Sequence, residues 1–458
     1  MTLKQHSRQY DVVLVGATGY TGRLTAEHVA ARLPRSLKWA IAGRSESKLQ
    51  ALADECAKSS PDMSKPDLEL LDVGDDSQVA SLVGKTALVI TTVGPYCRYG
   101  ESVFKACAQS GTHYLDCTGE VPWVARMIKK YEDVAQGSGA IMIPQNGIES
   151  AAADLCTWAM TRLLRSKLDA YTKDVVFSVH KAHLTPSGGT LSTMLTVFDH
   201  FSLSEVSAMR EPYCLSPVPY PGGAGPGSSL LQKLFGLRSV PDLGIQTTSL
   251  LGATDVPIVG RSWGLLSQIP NRKDEFYGPR FSFVEYLKPR NWLYGIAIHW
   301  GLLLSVLALS LVPPVRGIVK RFVYEPGQGI SREEMAKEEA EFRGTAIPDT
   351  PSPTGKHAFC RASFRGSMYQ LTALFLAEAA LTILEDDVGL PGRGGLDHLG
   401  GRGRAAGGSL YAGLSRPRLR RPGEGCGVEN RRQALAGLEI VIVNWFKEGA
   451  CLAILAIY

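Results

Sequence analysis

The sequence predicts an α/β chain: an N-terminal doubly wound parallel sheet, followed by a second, mixed α+β domain that contains a long hydrophobic segment. Three observations predict it. Short apolar, β-branched runs alternate with stretches of helical spacing through the first 116 residues, the first run opens into a glycine-spaced turn, and the alternation stops near residue 146. In order, residues 10–15 read as a strand ending at glycine and 23–33 as a helix. Residues 37–42 are a second strand, 47–57 a helix, 68–71 a short strand ending at Asp72, and 77–83 a helix. Residues 86–93 are continuously apolar and β-branched, the mark of a strand buried on both faces. A helix over 101–109, a strand over 113–116 and a further candidate strand over 140–143 complete the alternation.

Beyond residue 146 the rhythm changes to a helix over 154–164, a strand over 174–183, the turn Ser187-Gly188-Gly189 and a helix from Leu191. Residues 217–227 (PVPYPGGAGPG) are a Pro/Gly-rich loop. Residues 292–312 are the most hydrophobic stretch, followed by Arg316, Lys320 and Arg321 and ended by Pro313-Pro314. That length suits either a bilayer or interfacial segment or a long buried helix. Residues 331–343 (SREEMAKEEAEFR) read as a solvated helix, with Ser331 and Glu334 forming a capping box. Residues 370–385 read as an amphipathic helix. Residues 389–432 are Gly, Arg and Pro without periodicity, and 438–458 are apolar but carry Lys447 and Glu448 near their centre, which suits a membrane span poorly. The expected domains are therefore 1–146, 147–365 with its hydrophobic segment 292–312, a helix over 366–388 and an atypical tail over 389–458.

At 458 residues, 45% hydrophobic and 20% charged, the chain has the material for two globular domains. A formal net charge of +5, part of it from the Arg-rich tract, argues against nucleic acid as a partner. The nine cysteines stand singly, with no CxxC pair and no histidine cluster at ligand spacing, so no metal is expected. With a polar start, MTLKQHSRQY, they indicate reduced thiols in an intracellular compartment.

The strongest chemical signal is the strand Val12–Val15 running into Gly16-Ala17-Thr18-Gly19-Tyr20-Thr21-Gly22. Gly16 permits the tight turn, Gly19 lets a pyrophosphate approach the backbone, and Gly22 lets the following helix sit close to the strand. This is a dinucleotide-binding, Rossmann arrangement, and Thr18, Tyr20 and Thr21 of the same turn are assigned to its site. An NAD site places Asp or Glu after the second strand, whereas this chain reads Ala42-Gly43-Arg44-Ser45-Glu46-Ser47-Lys48. Arg44, helped by Ser45 and Lys48, sits where a 2′-phosphate lies, which favours NADP(H). In the alternative reading Arg44 only decorates a loop and Glu46 serves the ribose.

Gly94-Pro95-Tyr96 follows the strand over 86–93 and walls the nicotinamide half of the site. Tyr96, Asp116 and His113 are the candidate catalytic groups, with Tyr99, Glu120 and Asn146-Gly147 near the same strand ends. Each has a plainer use: Tyr96 as a stacking ring, Asp116 as a loop cap, His113 as a satisfied strand residue. Cys117 reads as a small hydrophobe before a reactive thiol.

Together GATGYTG, AGRS, TTVGPY, YLDCTGE and SGGT resemble the saccharopine dehydrogenase-like oxidoreductase family, in the branch that includes the trans-acting enoyl reductases of lipid biosynthesis. The resemblance runs from about residue 10 to 386. It implies a Rossmann domain, a mixed second domain and a late helix returning to pack on the first. Some members of the branch are associated with membranes or lipid droplets, which suits residues 292–312. Two departures stand out. Where the family reads close to GFDSIPSDLG, this chain has GIESAAADLC over 147–156, and the Gly/Arg-rich tract replaces a short C-terminal ending.

The leading expectation is an NADP-dependent oxidoreductase that passes hydride to an activated C=C or C=O of a small hydrophobic, acyl-type substrate, with the cofactor supplying the hydride. A second is a membrane- or lipid-droplet-associated protein that binds nucleotide without turnover. A third, saccharopine-type amino acid chemistry, needs cationic side chains around its substrate. The expected locations are the cytoplasm or a membrane or lipid-droplet surface, and a homodimer is the expected assembly.

Overall fold

The computed structural model describes residues 3–182, 186–221, 229–321, 328–385 and 438–445. The first sheet is built from β1 (Tyr10–Val15), α1 (Tyr20–Arg32), β2 (Trp39–Gly43), α2 (Glu46–Ser59), β3 (Asp67–Leu70), α3 (Asp76–Gly84), β4 (Thr86–Thr91), α4 (Tyr96–Tyr99), α5 (Glu101–Ser110), β5 (His113–Asp116), α6 (Val121–Ser138) and β6 (Met142–Ile143). Its six strands run parallel in the order β3-β2-β1-β4-β5-β6, the doubly wound order that reverses between β1 and β4. Strand alternation divides the core. Val12 and Leu14 of β1 face one side with Val29 and Leu52, while Val13 and Val15 face the other with Leu82, Phe104 and Met127. Both faces of the sheet are covered, which is why Val12–Val15 of β1 and the middle of β4 read as apolar runs.

The second sheet is seven-stranded and mixed, in the order β13-β12-β11-β7-β10-β9-β8. It is reached through α7 (Ile148–Leu168) and comprises β7 (Tyr171–Lys181), β8 (Arg238–Val240), β9 (Gly244–Thr248), β10 (Ser282–Leu287), β11 (Glu339–Asp349), β12 (His357–Arg365) and β13 (Leu438–Trp445). Only β7 and β10 pair in parallel; the other pairs are antiparallel. Between these strands lie α8 (Gly188–His200), α9 (Leu203–Ala208), α10 (Leu230–Phe235), α11 (Gly252–Ser267), α12 (Trp292–Leu311), α13 (Pro313–Arg321) and α14 (Arg332–Met335). The last described helix, α15 (Met368–Leu384), spans both cores: Leu371, Leu374 and Phe375 join the second, and Leu376, Ala380 and Ile383 join the first beside Val12 and Ala26.

Two expectations are corrected. The capping box Ser331/Glu334 is present, but the helix it starts ends at Met335, and Glu339–Asp349 is a strand in the middle of the sheet. The charged run hides a period of two: Ala340, Phe342, Gly344 and Ala346 are buried, whereas Glu341 faces Arg343 and Arg361. Pairing with both β7 and β12 outweighs the helix propensity of Glu, Ala and Lys. The hydrophobic segment 292–312 is helical but is not a buried core helix. Only Gly295 and His299 of α12 are buried. Residues 389–437 and 446–458 of the atypical tail lie outside the described residues, and 438–445 form β13 against β12.

Candidate functional site

The glycine turn has the shape its spacing implies. Gly16 has φ +80°, and a Cβ on it would lie 2.7 Å from Val93 Cγ2. A Cβ on Gly22 would lie 2.2 Å from the Gly16 carbonyl oxygen, so α1 could not approach β1 with any other residue there. Gly19 caps α1 without a side-chain hydrogen bond, and the first turn carries no acidic residue. The helix start is therefore an uncapped cluster of N–H donors at the carboxyl edge of the sheet, suited to a pyrophosphate. Thr18 lies against the end of β2, near Gly43. Past that strand Arg44 and Lys48 are exposed and Ser45 half-buried. Neither cation has an ion-pair partner among the described residues. Ser45 caps α2 without a capping bond, and among the described residues its hydroxyl bonds only the Ser47 hydroxyl, at 3.3 Å. A free guanidinium, a free ammonium and an open helix start meet a 2′-phosphate in charge and geometry.

Beside the turn a crevice of about 430 Å³ opens where three parts of the chain converge. Thr21 comes from α1, residues 117–118 and 147–150 from the loops after β5 and β6, and Thr190, Met368, Tyr369 and Thr372 from α8 and α15. The far wall is tied to the near one. The Tyr369 hydroxyl accepts from the Ser187 amide and lies 3.0 Å from the Thr190 hydroxyl, Thr372 Oγ1 accepts from the Ile148 amide at 3.2 Å, and Asn146 Nδ2 donates to the Phe375 carbonyl at 3.1 Å. Of the predicted cofactor residues, Thr21 lines this crevice. Tyr20 does not: its hydroxyl donates to the Ile330 carbonyl at 3.0 Å and its ring meets Tyr369 edge-on at 5.0 Å. Gly94 and Pro95 form the cis turn entering α4, with Thr193 of α8 against Gly94.

Of the three predicted catalytic groups, Tyr96 and Asp116 are neighbours, the Tyr96 hydroxyl also lying 3.5 Å from Cys117 Sγ, and His113 stands apart. Tyr96 is buried, its hydroxyl donating to the Thr91 carbonyl at 3.0 Å and its ring against Trp123. Burial lifts its hydroxyl well above the ordinary range. Asp116 is buried and accepts from the Thr118 and Gln145 amides, at 2.9 and 2.8 Å, and from the Tyr114 hydroxyl at 2.7 Å. Burial outweighs those donors and raises its carboxyl to about 7. It works as a clamp on two loops. His113 begins β5 and Asp116 ends it, so the imidazole lies at the opposite edge of the sheet, about 10 Å away along the strand, where Nδ1 accepts from the Ile141 amide. Glu120 is occupied by the Tyr96 and Cys97 amides at 2.7 and 2.8 Å. Burial pushes the Cys117 thiol up to about 12, which makes it unreactive at neutral pH.

The crevice also holds residues not singled out from the sequence. Thr190 closes the SGGT motif and carried that signal. Tyr369 and Thr372 begin the helix that reads as amphipathic over 370–385, and Glu149 sits in the altered segment 147–156. Nothing local marks these three, because what joins them is tertiary.

Residues 12–143 match the saccharopine dehydrogenase NADP-binding domain. A Mycobacterium tuberculosis protein provisionally named a trans-acting enoyl reductase is 32% identical over 405 residues, covering 83% of this chain and 90% of that protein. A trans-acting enoyl reductase of Mycobacterium bovis is 29% identical over 408 residues, with the same shares covered. Among solved structures, the apo saccharopine dehydrogenase (L-Glu forming) of Saccharomyces cerevisiae matches 94% of this chain and 99% of its own, at 12% identity and TM-score 0.46, a distance at which chemistry does not transfer. The cofactor of the matched domain is NADP, and the uncapped start of α1 and the free Arg44 fit it. The chain belongs to the saccharopine dehydrogenase-like oxidoreductases, in the branch of the trans-acting enoyl reductases, and is an NADP-dependent oxidoreductase.

Proposed function

We propose that this chain reduces the activated C=C of a hydrophobic, acyl-type substrate with NADPH. One observation carries the choice of substrate class: among the described residues no Lys or Arg lines the crevice, which offers hydroxyls, a half-buried thiol, Met368, Ile148 and one carboxyl. An amino-dicarboxylate of the saccharopine type has no cation to meet there. An enoyl thioester, neutral at its reacting end, fits, and the names of the mycobacterial relatives agree. NADPH would supply the hydride; Gly16, Gly19, Gly22 and Thr21 would hold its pyrophosphate side, and Arg44, Ser45 and Lys48 its 2′-phosphate. The protein's own part is to orient the acyl chain between α15 and the loops after β5 and β6, and to deliver a proton.

The first test is a titration with NADPH and NADH on the parent chain and on Arg44→Ala. NADPH is expected to bind at least about tenfold more tightly, about 1.4 kcal/mol, and the variant to lose that preference. Turnover with trans-2-dodecenoyl-N-acetylcysteamine should then consume NADPH and yield the saturated thioester. Tight NADPH binding without turnover of enoyl or carbonyl substrates would replace this reading with nucleotide binding alone.

The exposed face of α10 and α12 supports a companion proposal, that the chain meets its substrate at a lipid surface. Leu230, Leu231, Leu293, Leu304, Leu307 and Leu311 are each more than half exposed, as are Trp292 and Tyr294. The helix is long and apolar enough to cross a membrane by length and composition. Its N-terminal half is fastened to the protein: His299 bonds Thr248 Oγ1 at 2.7 Å and the Lys233 carbonyl at 3.1 Å, and Trp300 donates to the Leu234 carbonyl. A helix held along one side with an apolar face outward suits the interface between headgroups and acyl chains. Co-sedimentation with phosphatidylcholine vesicles tests it.

A further inference from the structure

Adding hydride to the β-carbon of an enoyl thioester leaves an enolate, and the α-carbon must then gain a proton from a group that carries one at working pH. This inference rests on the reductase reading above. The strand-end groups that looked suited to the task are committed elsewhere: the Tyr96 hydroxyl to Thr91, Asp116 to three donors, Glu120 to two amides, and His113 to the far edge of the sheet.

One carboxyl in the crevice is uncommitted. Glu149, the second residue of α7, lines the crevice, is half-buried, and makes no hydrogen bond or ion pair among the described residues. Its position is set from the other side by Gly119, where an added Cβ would come within 2.5 Å of Glu149 Oε2. Its surroundings are acidic. Glu285 of β10 and Asp255 of α11 face it from the second domain, with Tyr369 of α15 and Cys117 as the other titratable neighbours, and among the described residues no cation offsets them. Glu285 accepts from the Ser249 hydroxyl at 2.6 Å, while its other carboxyl oxygen and Asp255 Oδ1 are buried without a hydrogen-bond partner among the described residues; burial raises both carboxyls, and the like charge of Glu285 adds to it at Asp255. Farther along, Asp154 is buried with one oxygen on the Ser262 hydroxyl at 2.9 Å and the other without a partner among the described residues. Burial and the like charge of Glu285 raise the Glu149 carboxyl above the ordinary carboxylate range and outweigh the helix start, which favours the anion.

We propose that Glu149 is the proton donor of the crevice. Bound NADPH would supply the hydride to the β-carbon and be left as NADP+, with the C=C electron pair moving into the thioester enolate. The Glu149 O–H bond then breaks and its proton forms the new bond at the α-carbon. The saturated thioester leaves, and water returns a proton to the Glu149 carboxylate.

Two readouts on the full chain decide it. Dicyclohexylcarbodiimide reacts with protonated carboxyls, so mass spectrometry after treatment at pH 7 should find Glu149 labelled, with NADPH protecting it. In turnover of trans-2-dodecenoyl-N-acetylcysteamine, Glu149→Gln should lower kcat about 10²- to 10⁴-fold. Its NADPH affinity should stay within about twofold, Glu149→Asp should recover part of the rate, and the decline of kcat at high pH should disappear in Glu149→Gln. An unlabelled Glu149, or a Glu149→Gln chain as fast as the parent, overturns the proposal. If the parent binds NADPH and shows protected labelling but leaves the thioester unreduced, the reductase reading falls while the acid at Glu149 stands.

Discussion

Two apolar helices of similar length end in opposite surroundings. α15 has 17 residues, of which all but Gln370 and Glu378 are buried; α12 has 20, of which only Gly295 and His299 are. Both would pass for core helices by composition. The difference lies in side-chain size and in what the ends touch. α15 carries Ala373, Ala377, Ala379 and Ala380 where it packs against β1 and α1, and small residues let helix and sheet approach on every side. α12 places Leu, Trp and Tyr around its circumference and is anchored along one side by a few polar contacts of Gly295, His299 and Trp300. An apolar helix is thus buried when its neighbours can close around it. Otherwise it keeps an outward face for another phase.

The largest test of this contrast is a charge in the middle of α15. Ala380→Asp places an unpaired carboxylate at a fully buried position and should cost several kcal/mol, enough to leave no cooperative thermal transition. A folded, NADPH-binding variant would mean that α15 is not the joint between the two cores.

Next in size is the pH response of the site that α15 covers. Asp116 has an ordinary value of 3.8 and about 7 in the fold, so between those values the folded chain keeps a proton that the unfolded chain has released. Stability should therefore fall as pH rises from about 4 to about 7, by a few kcal/mol for this group, and level off above. The urea midpoint is expected to be lower at pH 8 than at pH 5, and Asp116→Asn, which can keep the amide and Tyr114 bonds, should reduce that slope. A midpoint that climbs with pH would contradict the buried, uncharged state of the clamp.

A smaller effect comes from Thr372→Val, which removes the bond to the Ile148 amide that ties α15 to the start of α7. Loss of that hydrogen bond should cost about 1 kcal/mol by denaturant unfolding, and it should weaken NADPH binding slightly if the crevice wall shifts.

The smallest stability effect is expected on α12. Leu304→Ser with Leu307→Ser alters two exposed positions and should change stability by less than about 0.5 kcal/mol per site while reducing vesicle binding. Marked destabilisation would show that this face is covered by protein, a second copy of the chain included.

Much of the first sheet was legible because its signals are local. A parallel strand buried on both faces is an unbroken apolar run, and a dinucleotide turn needs glycine at three fixed offsets. The exposed position of Arg44 was legible for the same reason, since it follows its strand directly. The charged run over 331–343 misled because Ala, Glu and Lys favour helix on their own. A strand paired on both sides decided otherwise, and the alternation of Ala340, Phe342 and Gly344 was the one local hint. The candidate acid was illegible: Tyr96, Asp116 and His113 share strand ends with the crevice in sequence terms, but their protons and lone pairs are used by the backbone around them.

By itself, then, the sequence determined the parallel sheet, the glycine turn, the exposed cations after β2 and the presence of a long hydrophobic helix and a late amphipathic one, each the product of contacts within a few residues. Tertiary structure alone decided which of those helices is enclosed, and which residues from α1, α7, α8 and α15 meet at one crevice with Glu149 among them. Burial and like charge set a carboxyl's proton affinity, and both depend on chain segments more than a hundred residues away.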